Sequence, residues 1–547
     1  MSERSERLFE ALSGIEEQKI DEAFPEERTN RFRWRKWGIL AAALAVVIGA
    51  GSYVLPRLGG SAGAGGAGAG SDGASTFMAY AGPVFPLTLK EADSTVTAER
   101  EIILDFAPWV PTWIPRDEKL AQEGLAAGIP EEQLEEYGYL EGGYYKQSTD
   151  IRVTDAYTLT NATSEDKTVS VLYPFSGALY RLGKCLPTLT ADGAELNTTL
   201  HAGGYTGGFQ GAWEGWPNQT DNPGTVNLDQ VNSWDEYKVL LSDGRYQKAA
   251  LGDYPDLSNV PVTVYRFYDS YGPEPDEKAG YPNPSIRAYF DLDYDKTTVL
   301  SYGFHAGRYD RENGKMIQGF SIRQSFQPGY GDPYYLVVIG DDIQNLTTGA
   351  YVTGGTDDDT KELDNAGVSV ERYASDLEAI LRETAELMYR RSERVQEGGA
   401  EFEMYFGLFK EFICSYGNLS ESGVERYNTS QLEALDVENT DRVFYLEAEV
   451  DIPAGGSVTL AAEMTKEGSY DFACVHTENK GVYGYDMVTE LGSNLTCTSQ
   501  TAVLEDRGQI QIVRQNFGFD LANGVKKVTL DPEAEHYYLE VKRIPEK

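Results

Sequence analysis

The sequence predicts a mainly β protein with a helical hairpin, laid out as two β-sandwich (immunoglobulin-like) regions outside a single N-terminal transmembrane helix. Three observations predict it. Period-two alternation recurs between turn residues from Met78 to Tyr373 and again from Arg442. Leu377, Ile380, Leu381, Thr384, Leu387 and Met388 recur at helical spacing between those two stretches. Trp37 to Leu55 is a run of nineteen residues without a charge, roughly long enough as a helix to match the ~30 Å hydrocarbon core of a bilayer.

The first 36 residues read as a cytoplasmic tail. Arg28, Arg31, Arg33, Arg35 and Lys36 crowd the N-terminal flank of the apolar run, and only Arg57 follows closely on the other side. This asymmetry keeps the tail inside and sends the bulk of the chain out of the cell, so the expected location is the cell membrane, single-pass, with the N-terminus cytoplasmic. An uncleaved anchor is expected rather than a signal peptide, because the n-region and the apolar core are both long. Within the tail, residues 5–24 form two short helical pieces, the second opened by a Ser13–Glu16 capping box. Their apolar stripe suits either a cytoplasmic protein partner or the inner leaflet, and the scattered acidic residues favour the protein.

Residues 56–77 form a Gly/Ala-rich linker, a flexible coil spanning roughly 25 Å over twenty residues. An extracytoplasmic β-rich domain follows over 78–373. Ile151–Thr160 and Lys167–Phe175 alternate about a polar turn and read as a hairpin. Further strands are expected at Glu101–Phe106, Val260–Tyr268, Ser285–Leu292, Thr298–Phe304 and Tyr335–Gly340, with a short helix at Ser233–Leu241. Residues 374–441 hold the helical hairpin and a connector, with Ser375 available as N-cap and Gly398-Gly399 breaking the run before a second stripe, Phe402, Tyr405, Phe406, Phe409, Phe412 and Ile413. From 442 to 547 the strands Val443–Val450, Val458–Met464, Gly508–Gln515, Val525–Leu530 and His536–Lys542 read as a C-terminal β-sandwich domain.

Charge and composition exclude some functions. The chain carries a net −40, and residues 1–36 contribute only −1 of it. A body that negative is repelled by nucleic acid, so none is expected as a partner. Four cysteines make no disulfide scaffold. Cys185 and Cys414 read as buried small hydrophobes, while Cys474 and Cys497 fall in one β-rich stretch and could pair. The four histidines are scattered, and neither CxxC nor HExxH occurs, so no metal site is expected. Asp291, Asp293 and Asp295 imitate the start of an EF-hand loop, but Lys296 stands where glycine is needed and Tyr302 where glutamate is needed.

No catalytic residues can be named. The sequence has no G-x-S-x-G in the strand–turn–helix context of an elbow, no P-loop and no strand–helix GxGxxG context, and no cofactor is expected. The most suggestive binding surface is 201–219, where glycines alternate with Tyr205, Phe209, Trp213 and Trp216; Tyr144 and Tyr145 in a GGYY stretch repeat it in miniature. Such rings either present flat faces to an envelope glycan or protein ligand, or fold back to plug one end of a sandwich.

The opening LFEALSGIEEQKIDEAF, with its basic run and single span, is similar to the start of many clostridial single-pass envelope proteins. YAGPVFPLTL (80–89), DAYTLTN and KTVSVLYPF (155–175), VVIGDDI (337–343), YDMVTELGSNL (485–495) and QNFGFDL with EHYYLEV (515–541) resemble an uncharacterised extracytoplasmic family of those anaerobes. The resemblance implies a short cytoplasmic tail, one span and a large β-rich outer region, and it carries no catalytic residues. The expectation is a membrane-anchored, non-enzymatic binding or signal-sensing protein of the bacterial envelope. A structural or adhesive wall-associated module is the first alternative, and a hydrolase acting on envelope glycans through a carboxylate pair is the second.

Overall fold

The computed structural model describes residues 81–106, 111–115, 143–147, 149–205, 244–325, 327, 329–415, 419, 432–435, 437–469, 481–489, 492–531 and 533–544. They are mainly strands, arranged in several sheets. Among the described residues no helix is long and apolar enough to cross a membrane; the expected span at 37–55 lies outside them, as do the tail, the linker and the helix expected at Ser233–Leu241.

A seven-stranded sheet runs Lys527–Thr529, Thr496–Glu505, Val96–Asp105, Ile151–Asn161, Ser457–Lys466, Thr188–Ala191, Ala194–Glu195 across its width. Val96–Asp105 and Thr496–Glu505 pair in parallel, and the other neighbours are antiparallel. A four-stranded sheet, Thr88–Leu89, Lys167–Gly177, Arg442–Ile452, Thr199–Tyr205, lies against it. The central strands of the seven-stranded sheet alternate between buried and more exposed positions, whereas Lys167–Gly177 and Arg442–Ile452 each carry a run of five buried residues. Val153, Tyr157 and Leu159 of one, and Val171, Tyr173, Leu446 and Ala448 of the other, enter a single core.

Two expectations are corrected here. Ile151–Asn161 and Lys167–Gly177 are both strands, but they belong to opposite sheets and do not form a hairpin. The chain crosses between layers at Asn161. Its Nδ2 donates to the carbonyls of Glu165, Ile452 and Pro453, and its Oδ1 accepts from the Thr163 N–H and hydroxyl. A buried asparagine saturated in this way fixes an arch as firmly as a tight turn fixes a hairpin. Secondly, the strands after Arg442 do not build a sandwich of their own. Arg442–Ile452 is inserted between Lys167–Gly177 and Thr199–Tyr205, and Ser457–Lys466 between Ile151–Asn161 and Thr188–Ala191. The boundary at 442 therefore divides both of these sheets, and the boundary at 373 falls within the strand Gly367–Asp376. Alternation marks a strand and its buried face, and it carries no information about the partner.

Residues 261–376 build a separate pair of four-stranded sheets. One runs Thr297–Tyr302, Tyr334–Gly340, Pro261–Tyr271, Gly367–Asp376; the other runs Ala306–Asp310, Lys315–Ser321, Ser285–Asp291, Gln344–Tyr351. Phe267, Phe290, Phe304, Phe320 and Leu336 fill the space between them, with the Phe304 and Phe320 rings 5.2 Å apart at 90°. The opposite face of the first sheet, with Val262, Val264, Leu300 and Val337, joins the larger core. The helices Leu377–Tyr389 and Phe402–Ser415 contribute Ile380, Leu381, Phe406 and Phe409 to the same core. The N-cap of the first helix is Asp376 rather than the expected Ser375: its carboxylate accepts from the Ala379 N–H at 2.8 Å. Gly399, at φ +81, makes the left-handed turn between the helices.

Candidate functional site

Among the described residues Arg100, Asp155 and Lys466, like Arg442 at the head of its strand, are charged side chains at positions that the strand alternation assigns to the core. In Val96–Asp105 the buried phase is Val96, Ala98, Arg100, Ile102, Leu104. In Ile151–Asn161 it is Ile151, Val153, Asp155, Tyr157, Leu159. In Ser457–Lys466 it is Val458, Leu460, Ala462, Met464, Lys466. A charge so placed is costly unless it is paired.

Arg100 and Asp155 solve this together. The guanidinium donates through Nε and Nη2 to the two oxygens of Asp155 at 2.7 and 2.8 Å, and through Nη1 to the Val488 carbonyl at 2.7 Å. Both side chains are wholly buried. Tyr157 and Tyr173 donate their hydroxyls to Asp155 as well, at 2.8 and 3.0 Å, and Tyr157 accepts from the Leu87 N–H. Burial first, then the carboxylate alongside, holds the Tyr173 phenol well above its ordinary pKa. Tyr173 belongs to the four-stranded sheet and Asp155 to the seven-stranded one, so this network ties the two layers at their centre.

Lys466 is solved differently. It ends its strand at the wall of a cleft of about 300 Å³, lined also by Ala81, Val84, Tyr173, Phe175, Arg181 and Cys185. The residue is 9% exposed. Among the described residues its one hydrogen-bond partner is the Ala81 carbonyl at 2.7 Å, and it forms no ion pair. Burial pushes the amine down from 10.5 to about 8; Asp486 and Glu467 oppose that shift and Arg181 adds to it.

The neighbouring wall is the turn Leu179–Arg181 and the short helix Leu182–Cys185. Gly177 allows this wall to close, since a Cβ there would stand 2.6 Å from the Cys185 Sγ. Arg181 reaches Asp441 through Nη2 and Glu467 through Nη1 at 3.1 Å, while its buried Nε has no partner among the described residues. The Cys185 thiol donates to the Arg181 carbonyl at 3.4 Å, and burial raises its pKa to about 11, so it stays a thiol at neutral pH.

Comparison with known protein families, curated proteins and solved structures found no match.

Phe209, Trp213 and Trp216 lie outside the described residues. Tyr144 and Tyr145 lie in the strand Gly143–Gln147, opposite Ile114 and Trp113 of Pro111–Pro115. Tyr205 ends Thr199–Tyr205, opposite Arg442. Cys497 sits in Thr496–Glu505 opposite Ala98, and Cys474, its expected partner, lies outside the described residues. Sequence reasoning missed Lys466 and Arg181. For Lys466 the signal was present: it continues the series Val458, Leu460, Ala462, Met464 in the core phase.

Proposed function

We propose that this chain is a membrane-anchored extracytoplasmic binding or signal-sensing protein of the bacterial cell envelope, with the cleft at Lys466 as its ligand site. The observation that carries the reading is a buried ammonium held by one main-chain carbonyl beside open volume. An ammonium has three donors, and a fold that needed only a structural lysine gains nothing by leaving two of them at a cleft. The uncharged run 37–55 with its basic flank supports the anchor. Residues 5–24 then face the cytoplasm, where they dock a protein partner. The immunoglobulin-like reading of the outer body narrows to sandwich layering, supported by facing sheets that share a core.

The test uses the full-length chain purified in detergent and incubated with a low-molecular-mass extract of the producing organism's envelope. Native mass spectrometry is expected to find a small molecule retained by the wild type and lost from Lys466→Met. A wild type that retains nothing, or a Lys466→Met variant that retains the same molecule equally well, overturns the assignment.

A further inference from the structure

We propose that the cleft takes a small organic acid, its carboxylate seated on the Lys466 amine and the Arg181 guanidinium and its short apolar body lying along Phe175 and Met464. This rests on the cleft being the ligand site and adds the chemical class. Cations are concentrated here in a molecule that is otherwise strongly anionic: Arg181, Lys184 and Lys466 line the cleft with Asp150 and Glu467, while the whole chain carries −40. Asp441 also reaches Arg181 from outside the lining, and Asp486 acts on Lys466 from the side where His536 holds it at 3.0 Å. Glu467 and Asp441 are engaged with Arg181 and Asp486 with His536, and Asp150 also has an interaction of its own. The Lys466 ammonium keeps donors for a ligand beyond its bond to Ala81, and Arg181 stands in the same wall, its buried Nε without a partner among the described residues.

The rest of the wall sets the size and polarity of the ligand. Val84, Pro174, Phe175 and Met464 give an apolar surface next to the two cations. About 300 Å³ is at the low end for a small-molecule pocket, which suits an acid of a few to a dozen heavy atoms rather than a polymer. A carboxylate meeting a desolvated ammonium makes a charge-assisted hydrogen bond, stronger than any neutral amide can make there.

Hexanoate and hexanamide, titrated calorimetrically into the full-length chain in nanodiscs, are the probes. Hexanoate is expected to bind saturably and at least about tenfold more tightly than hexanamide, because only the acid makes the charge-assisted contact. Lys466→Met is expected to weaken hexanoate by about tenfold or more. Glu467→Gln removes a carboxylate that competes for Arg181, so it is expected to tighten hexanoate about two- to fivefold. A purely structural role for these residues would not produce that gain. Equal binding of acid and amide, or weaker hexanoate binding in Glu467→Gln, overturns the charge assignment and leaves the cleft as the ligand site. No saturable hexanoate binding to a chain with an intact melting transition also overturns it, whereas failure of the wider reading shows separately as an empty wild type in the envelope-extract experiment.

Discussion

Substituting Asp155 with asparagine tests whether the two sheets are held at their centre by charge pairing. The replacement keeps the shape and one acceptor for the hydroxyls of Tyr157 and Tyr173, but it removes the anion that faces Arg100 through two bonds of 2.7 and 2.8 Å. Arg100 has no exposed side-chain surface on which to recover solvation. Breaking a buried pair from one side typically costs about 3–5 kcal/mol, and the surviving tyrosine contacts place this variant near 3. With a urea slope of about 3 kcal/mol/M for a body of this size, the midpoint should fall by about 1 M. Adding Arg100→Met removes the orphaned cation and should recover about 1–2 kcal/mol of the loss, although the Val488 carbonyl then loses its donor. Urea unfolding followed by far-ultraviolet circular dichroism measures both. If Asp155→Asn costs less than about 1 kcal/mol, or if the double variant is no more stable than the single one, charge pairing is not what joins the layers.

Two further predictions follow from the cleft. Lys466 has its folded pKa depressed to about 8 from 10.5, so the folded state disfavours the charged form and the protein should gain stability as pH rises from 8 to 10.5. Lys466→Met removes that dependence; its stability advantage over wild type should shrink by roughly 2–4 kcal/mol across the window, and parallel wild-type and variant curves of unfolding midpoint against pH would refute it. Gly177→Ala drives a methyl to 2.6 Å from the Cys185 Sγ and should cost about 1–3 kcal/mol, while Cys185→Ala in the same chain should restore most of it; a thermal melt in which the double variant is no better than Gly177→Ala removes the steric explanation.

Much of the site was present in the sequence as an irregularity of pattern. Arg100, Asp155 and Lys466 each interrupt an otherwise apolar phase of an alternating strand. Such a residue either meets an opposite charge inside the core or stands at a cavity, and the sequence does not say which. Arg100 and Asp155 lie 55 positions apart, and the register that sets Arg100 opposite Tyr157 comes from tertiary pairing. Cys185 reads from sequence as a buried small hydrophobe; it is half-buried, and its place as a wall of the cleft depends on Gly177.

The sequence by itself determined where about half of the described strands and both long helices lie, and that Trp37–Leu55 is uncharged and flanked by basic residues. Those properties are local, because the pleat and the helical turn repeat over two and 3.6 residues and a short window contains the whole signal. Only the tertiary structure decided that Arg442–Ile452 lies between Lys167–Gly177 and Thr199–Tyr205, and that Ala81, Arg181 and Lys466 share one cleft. Backbone donors and acceptors are chemically alike in every strand, so the choice of partner is made by the fit of whole faces and by a few saturated polar side chains such as Asn161.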